Sequence, residues 1–347
     1  MNKKSILVLF CEGKHDSNFI SIILESMGYN TFKEPIDQLP SCFSYISEKV
    51  KTLNPEVFSM GQLSADRFLY PFPWIFEKEK TIIALYRLDG LNKITDANKK
   101  IILKDKHIEL LVSKGIKKEF FSDSIRSIEY STIRELWGKL MTEVGEISKE
   151  YEDIIRNYAP RREIYETIEL ILRKEKDTFY PANFNTPVNF AFIVDADEEG
   201  IDKRVNSIRA SYKQYFTGID LNLQAYKPLK LSDKRNIGLF VITKEKDTNG
   251  DLEDLVISII NKKGEFSKLL NNADKFVTEN EDDFSEGSKI TFYPKKSKIG
   301  VAGQMRCSGE DLGTILRRSG FIDPLHGSFK DNSTIIRIKS FINEMFT

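Results

Sequence analysis

Two runs of apolar residues in this chain end abruptly in acidic side chains. The first run covers residues 6–11 and is followed by Glu12; the second covers residues 190–194 and is followed by Asp195 and Asp197. A continuous apolar run is typical of a strand that is buried on both faces, as in a parallel sheet. Because sites in such sheets form beyond the carboxyl ends of the strands, we expect the acidic residues to meet at one edge.

The rest of the pattern predicts an α/β fold in which strands and helices alternate. Helical periodicity follows the first strand over residues 16–27, and the alternation resumes after residue 188. The later predicted strands cover residues 189–194, 237–243 and 290–293, and the later predicted helices cover residues 202–216, 252–262, 310–319 and 334–346. This alternation indicates a Rossmann-like, mostly parallel sheet flanked by helices.

The middle of the chain has a different character. Residues 55–187 contain one clear strand candidate, at residues 81–85, and otherwise show mostly helical periodicity. We therefore predict a discontinuous core formed by residues 1–54 and 188–347, with residues 55–187 as a mostly helical insertion. Such an insertion could serve as a cap, or as the arm through which a homodimer or a partner protein is bound.

Composition restricts the function classes only broadly. The chain has 347 residues, of which 40% are hydrophobic and 30% charged, and no apolar run is long enough for a membrane-spanning helix. For this reason we expect no membrane partner. The three cysteines lack the spacing of a metal site, which favours reduced thiols and a cytoplasmic location. The formal net charge is zero, so any nucleic-acid binding would depend on local basic patches.

Two further polar segments change this picture. An acidic segment at residues 249–255 contains Glu253 and follows the strand predicted to end near residue 243. The last predicted strand is followed by a cluster of three lysines, Lys295, Lys296 and Lys298. Each segment alone is explained by a helix N-terminus or a solvated turn. Together, carboxylates after three strands and lysines after a fourth favour a phosphate site that binds Mg²⁺ or Mn²⁺.

The order of these four segments resembles that of a Toprim domain. More narrowly, it is similar to the Toprim module of the overcoming-lysogenisation-defect (OLD) nucleases and their small stand-alone relatives. The resemblance covers residues 1–50 and 188–347, and it includes the Gly- and Gln-containing segment after Lys298 and the C-terminal helix. No Walker A motif is present, so the ATPase part of full-length OLD nucleases has no counterpart in this sequence.

The resemblance implies roles for individual residues. The implied metal ligands are Glu12, Asp16, Asp195, Asp197 and Glu253. Glu12 would also serve as a general acid or base. Lys298 is the best match for the lysine that stabilises the transition state, although Lys295 and Lys296 remain open for that role. Independently of the resemblance, Arg317 and Arg318, with Lys296, are candidates for contacts with substrate phosphates, although a pair of arginines is more often found on a solvated helix face.

We therefore expect a nuclease that depends on Mg²⁺ or Mn²⁺ and cleaves phosphodiester bonds in DNA or RNA by a two-metal mechanism. Bacterial defence or a mobile element is the setting that the resemblance implies. One alternative is a nucleotide-sugar transferase of the Asp-x-Asp type, which needs neither Glu12 nor a late lysine. Another is a Toprim scaffold without catalytic activity that docks a partner protein, although a scaffold has no need for mutually repelling carboxylates.

Overall fold

The computed structural model describes residues 5–40, 43, 73–87, 100–102, 127–129, 188–212, 222–232, 235–280 and 293–347. The chain divides into two compact units. The first comprises residues 1–31, 74–87 and 185–347, and the second comprises residues 32–73 and 88–184. All the residues of the candidate site lie in the first unit.

The first unit is built on a seven-stranded sheet whose centre is parallel. Its four central strands, in spatial order, are β4 (Thr81–Arg87), β1 (Ser5–Cys11), β7 (Val188–Asp195) and β9 (Arg235–Ile242). Each neighbouring pair among them is parallel. All four carboxyl ends therefore lie at the same edge of the sheet.

Short antiparallel strands complete the two sides of the sheet. On one side lie β3 (Trp74–Lys78) and β2 (Asn30–Thr31), and on the other lies β8 (Leu229–Ser232). In the second unit, β5 (Lys100–Ile102) and β6 (Ser127–Glu129) form an antiparallel pair. The first unit is thus a mixed α/β structure with a mostly parallel central sheet.

Helices flank the sheet. The helices of the first unit are α1 (Lys14–Ser26), α2 (Gly200–Tyr212), α3 (Leu252–Asn261), α4 (Gly264–Glu279), α5 (Pro294–Gln304), α6 (Leu312–Arg318), α7 (Gly327–Lys330) and α8 (Ser333–Glu344). In the second unit, residues Ile36–Gln38 form one turn of 3₁₀ helix. In addition, no helix of the described segments has the length and apolar character that crossing a bilayer requires.

The central strands are buried on both faces, as their continuous apolar runs predict. On one face, Leu7 and Leu9 of β1 belong to the main core, together with apolar side chains of α1, α3 and α8. On the other face, the ring of Phe10 stacks on that of Phe192 with centroids 5.0 Å apart. Two-sided burial explains why these strands show no alternation of polar and apolar residues.

Most predicted elements of the core are confirmed, but one strand was misplaced and several elements were missed. The strand predicted at residues 81–85 was assigned to the insertion, whereas β4 pairs with β1 near the middle of the sheet. Residues 74–87 therefore belong to the first unit, and residues 32–54 belong to the second. The unpredicted elements of the first unit are helices α4, α5 and α7 and strands β3 and β8. The predicted helical periodicity of the insertion lies almost entirely outside the described residues.

The connections leaving β1 and reaching β7 create a switch point in the sheet. From β1 the chain passes to β4 on one side, and it later returns to β7 on the other side of β1. Ligands of open α/β sheets bind in the crevice beyond the strand ends at such a point. The acidic residues that follow β1 and β7 are therefore placed at the part of the edge best suited to a site.

Candidate functional site

The first acidic tip joins the end of β1 to the start of α1. Gly13 is the N-cap of α1, and its backbone N–H donates to Asp16 Oδ2 at 2.9 Å. This bond satisfies one of the free amides at the helix N-terminus. It also fixes the Asp16 side chain in the first turn of α1, next to Glu12 in the chain.

The second acidic tip is the end of β7. The Asp195 side chain is buried, and its Oδ1 has no hydrogen-bond partner among the described residues. After it, Asp197 takes a left-handed backbone conformation (φ +50°), which is uncommon for a residue with a side chain. Reciprocal backbone hydrogen bonds with Gly250, of 2.8 and 3.1 Å, hold Asp197 in place.

The third acidic segment enters the site through Gly250. Its φ of +132° and its approach to Lys244 exclude a side chain, because an added Cβ would lie 2.4 Å from the Lys244 backbone nitrogen. The next residue, Asp251, caps α3 by accepting from the Asp254 N–H at 2.9 Å. Glu253 then projects from the first turn and is buried.

The three predicted lysines have three different environments in α5. They lie in the first turns of this helix. The strand predicted at residues 290–293 lies almost entirely outside the described residues. Lys295 Nζ donates to Asp251 Oδ2 at 2.7 Å and to Asp254 Oδ2 at 2.6 Å, which ties the start of α5 to the cap of α3. Lys295 therefore has an evident structural role.

Lys298 and Lys296 have partners on different helices. Lys298 Nζ lies 2.9 Å from Asp274 Oδ1 on α4, whereas Lys296 Nζ lies 3.8 Å from Glu253 Oε1. Two residues in a helix are separated by about 200° around its axis, so these two lysines cannot face the same way. Lys296 is the lysine that faces Glu253.

Sequence reasoning missed Arg204, which is part of the same site. Its Nη2 donates to Glu12 Oε1 and lies 3.4 Å from Asp197 Oδ2. The guanidinium is a positive charge from α2 between the first two acidic tips. An arginine on the helix that follows an Asp-x-Asp motif is a usable signal, but only once the packing of that helix is known.

Burial of several carboxylates together changes their protonation. Burial, reinforced by the charges of Asp16 and Glu253, raises the pKa of Asp195 well above its ordinary value. Burial and the charge of Glu253 likewise raise the pKa of Asp16 to about 7. Mutual repulsion of this kind indicates that Asp16, Asp195 and Glu253 share one environment.

The neighbouring acids separate into two kinds. Burial raises the pKa of Glu253, and burial together with the charge of Asp251 raises that of Asp197. Burial acts in the same direction on Asp251, but hydrogen bonds from Lys295 and the Asp254 backbone outweigh it and lower its pKa. Asp251 is thus paired and ionised. In Asp16, Asp195, Asp197 and Glu253, by contrast, neighbouring positive charges and hydrogen bonds do not fully offset the cost of burying the ionised carboxylate.

The carboxylates of Asp16, Asp195 and Glu253, here called the acidic cluster, are of the ligand type that suits a hard divalent cation, but they do not form a complete set of metal ligands. Carboxylate oxygens are the ligands that Mg²⁺ and Mn²⁺ prefer, and Asp195 Oδ1 is a buried oxygen without a partner. Within the described ranges, no three His, Cys, Asp or Glu side chains lie close enough together to hold a metal ion. Glu12, an expected ligand, contacts Arg204 instead.

The two candidate phosphate-binding arginines have other partners. Arg317 Nη2 donates to Glu25 Oε1 at 2.6 Å and to Ser21 Oγ at 2.9 Å on α1, and its guanidinium lies over the Trp74 ring. Arg318 pairs with Glu310 at 3.1 Å. These contacts connect α6 to its surroundings and not to the acidic cluster.

A family match covers most of the site. The family described as "Protein of unknown function (DUF3226)" matches residues 129–346, which is well over half of the chain. The chain belongs to this family. The DUF3226 match includes β7, α3 and α5, and so Asp195, Glu253 and Lys296, while Glu12 and Asp16 lie before it.

Other comparisons are distant. A hypothetical protein from Pyrococcus horikoshii OT3 has a crystal structure that is similar with a TM-score of 0.40 and 12% sequence identity. The comparison covers 98% of this DUF3226 chain and 95% of the other. No curated protein matches the chain.

Proposed function

We propose that this protein is a divalent-metal-dependent nuclease that cleaves phosphodiester bonds in DNA or RNA at the edge between β1 and β7. One observation carries the proposal: the buried Asp195 carboxylate has an oxygen without a partner and shares its environment with Asp16 and Glu253. A protein that holds uncompensated carboxylates together gains stability when a cation binds them. The position at the switch point of the sheet supports the same conclusion.

Mg²⁺ or Mn²⁺ bound here would supply an activated water and stabilise the leaving oxygen. Asp195, with its unpartnered oxygen, would hold the cation, and Asp16 and Glu253, which share its environment, would have to move closer to complete the ligand set. Asp197 is a further candidate ligand, whereas Glu12 would first have to leave Arg204. Lys296 would neutralise the negative charge that develops on the phosphoryl oxygens, because its ammonium already faces Glu253. Lys295 would hold the start of α5 against the start of α3 through its ion pairs with Asp251 and Asp254.

The test is cleavage of supercoiled plasmid, with a single-stranded RNA in parallel, in Mg²⁺ or Mn²⁺. We expect cleavage by the wild type and a loss of roughly 10²-fold or more in Asp195→Asn and in Lys296→Met. Lys298→Met is the matched control: it removes the same charge from the same helix but from the side that faces Asp274. Its activity should stay within about threefold of the wild type.

The variants also separate the alternatives. Equal activity in the wild type and Asp195→Asn would overturn the proposed site. Cleavage by neither protein, together with failure to bind a divalent cation, would favour the scaffold hypothesis. Activity that follows Lys298 instead of Lys296 would restore the lysine assignment implied by the Toprim resemblance.

A further inference from the structure

The guanidinium of Arg204 lies where a cation would be expected. It comes from α2, its side chain is 13% exposed, and its Nη2 contacts Glu12 while lying 3.4 Å from Asp197. Its Nε is buried and has no hydrogen-bond partner among the described residues. A guanidinium that is buried but incompletely hydrogen-bonded is poorly compensated for its desolvation.

We propose that Arg204 is a built-in counter-ion for Glu12, so that a divalent cation must displace the guanidinium to recruit Glu12. This inference rests on the proposed function, since it concerns the same cation site. It assigns Arg204 as a positioning residue that acts through Glu12.

The two acidic tips differ in a way that this inference explains. Glu12 is only 28% exposed and already has a positive partner, whereas Asp195 is buried and retains an unpartnered oxygen. A cation would therefore meet Asp195 without displacing a side chain, but it would reach Glu12 only by competing with Arg204.

The other basic residues of α2 do not share this position. Arg209 donates to the Leu223 carbonyl and, at 3.2 Å, to Asn222 Oδ1, so it anchors the helix to the segment before β8. Lys203 is exposed on α2 immediately before Arg204. Lys203 is a matched control, because its replacement removes one positive charge from the same helix without removing the contact with Glu12.

The experiment is calorimetric titration of the metal-free protein with MnCl₂. We compare the wild type, Arg204→Gln, Lys203→Gln, Glu12→Gln and the double variant Glu12→Gln/Arg204→Gln. Arg204→Gln should bind Mn²⁺ roughly tenfold more tightly than the wild type, because Glu12 is then free without competition. Lys203→Gln should change the affinity less than about twofold.

The double variant separates competition for Glu12 from general electrostatics. If Arg204 acts through Glu12, its replacement should have almost no effect on Mn²⁺ affinity once Glu12 is already Gln. If Arg204 merely repels the cation, the same gain should appear in both backgrounds. Arg204→Lys retains the charge but not the forked geometry, and we expect a smaller gain from it; this variant carries the test if Arg204→Gln does not fold.

The outcomes distinguish this inference from the proposed function. Mn²⁺ binding by the wild type that is unchanged in Arg204→Gln and Arg204→Lys would overturn the inference and leave the metal site intact. A gain of equal size in the Glu12→Gln background would also overturn it. Failure of every protein in the series to bind Mn²⁺ would overturn the proposed metal site and the inference with it.

Discussion

At the scale of single residues, the strongest feature is a group of carboxylates that lack compensation for their charge. Asp195 was predictable as a site residue because an Asp-x-Asp sequence ends a buried apolar run. Its coupling to Asp16 was less evident, because the two residues lie far apart in the chain and share an environment only through the pairing of β1 with β7. Arg204 could not be predicted, since its role depends on how α2 packs.

Asp16 should make the stability of the metal-free protein depend on pH. Its pKa is raised from 3.8 to about 7 in the folded state, so the folded protein holds the proton more tightly than the unfolded chain does. The contribution of this group to the free energy of unfolding is therefore full below pH 4 and is lost as the pH rises toward 7.

Asp16→Asn removes this titration. We expect the free energy of unfolding of Asp16→Asn, relative to that of the wild type, to rise by about 1 kcal/mol or more between pH 4 and pH 7.5. Urea unfolding in the presence of EDTA measures the difference. A constant difference across this pH range would show that Asp16 is not the source of the pH dependence.

At the scale of elements, the position of each lysine around the axis of α5 determines which residues it contacts. The sequence shows three lysines within four positions but not where the helix begins, so it leaves their directions open. Because α5 begins at Pro294, Lys295 points to the cap of α3, Lys296 to Glu253 and Lys298 to α4. The resemblance to Toprim proteins favours Lys298 and leaves Lys295 and Lys296 open, so the choice among them is a prediction that the cleavage assay decides.

Lys295 and Lys296 should therefore separate stability from function. Lys295→Met breaks two hydrogen bonds to Asp251 and Asp254, and we expect it to lower the free energy of unfolding by roughly 1–2 kcal/mol. Lys296→Met should change that free energy by less than about 0.5 kcal/mol while abolishing cleavage. Chemical denaturation and the cleavage assay, run on the same variants, make this comparison. Loss of cleavage in Lys295→Met and loss of stability in Lys296→Met would show that Lys295 has the catalytic role and Lys296 the structural one.

Two glycines of α5 provide a test of how this helix packs. An added Cβ at Gly303 would lie 2.2 Å from Ile315 Cγ2 of α6, whereas one at Gly300 would meet nothing within 4 Å. Gly303→Ala should lower the free energy of unfolding by roughly 1–3 kcal/mol through overpacking. Gly300→Ala should raise it by roughly 0.5–1 kcal/mol, because alanine favours a helix interior over glycine.

Thermal unfolding of the two alanine variants measures this difference. The matched pair controls for the change in helix propensity, since both positions lie in the same helix. Equal effects at the two positions would contradict the close contact between α5 and α6.

At the scale of the whole molecule, the fold was predictable where the apolar pattern is strong. The buried runs of β1, β7 and β9 and the periodicity of α1 and α8 all indicated a mostly parallel α/β sheet. The contribution of residues 74–87 was misassigned, because a strand within a block of helical periodicity carries no sign of its distant partner. β4 joins β1 only through tertiary pairing across the chain.

Because the acids gather from β1, β7 and α3, cation binding should be linked to the stability of the entire first unit. At a Mn²⁺ concentration about 100 times the dissociation constant, the free energy of unfolding should increase by about 2.7 kcal/mol. A thermal melt with and without Mn²⁺ measures the effect, and Asp195→Asn should abolish it. An equal shift in that variant would place the bound ion elsewhere.

The central claim is that the edge between β1 and β7 holds a divalent cation through Asp195. Its most direct test is titration of metal-free protein with Mn²⁺, followed by the electron paramagnetic resonance signal of the free ion. Wild type should remove the signal with saturable stoichiometry, Asp195→Asn should leave it, and Asp274→Asn, at the distant Lys298 pair, should match the wild type. An undiminished signal with the wild type, or equal uptake by Asp195→Asn, would contradict the claim.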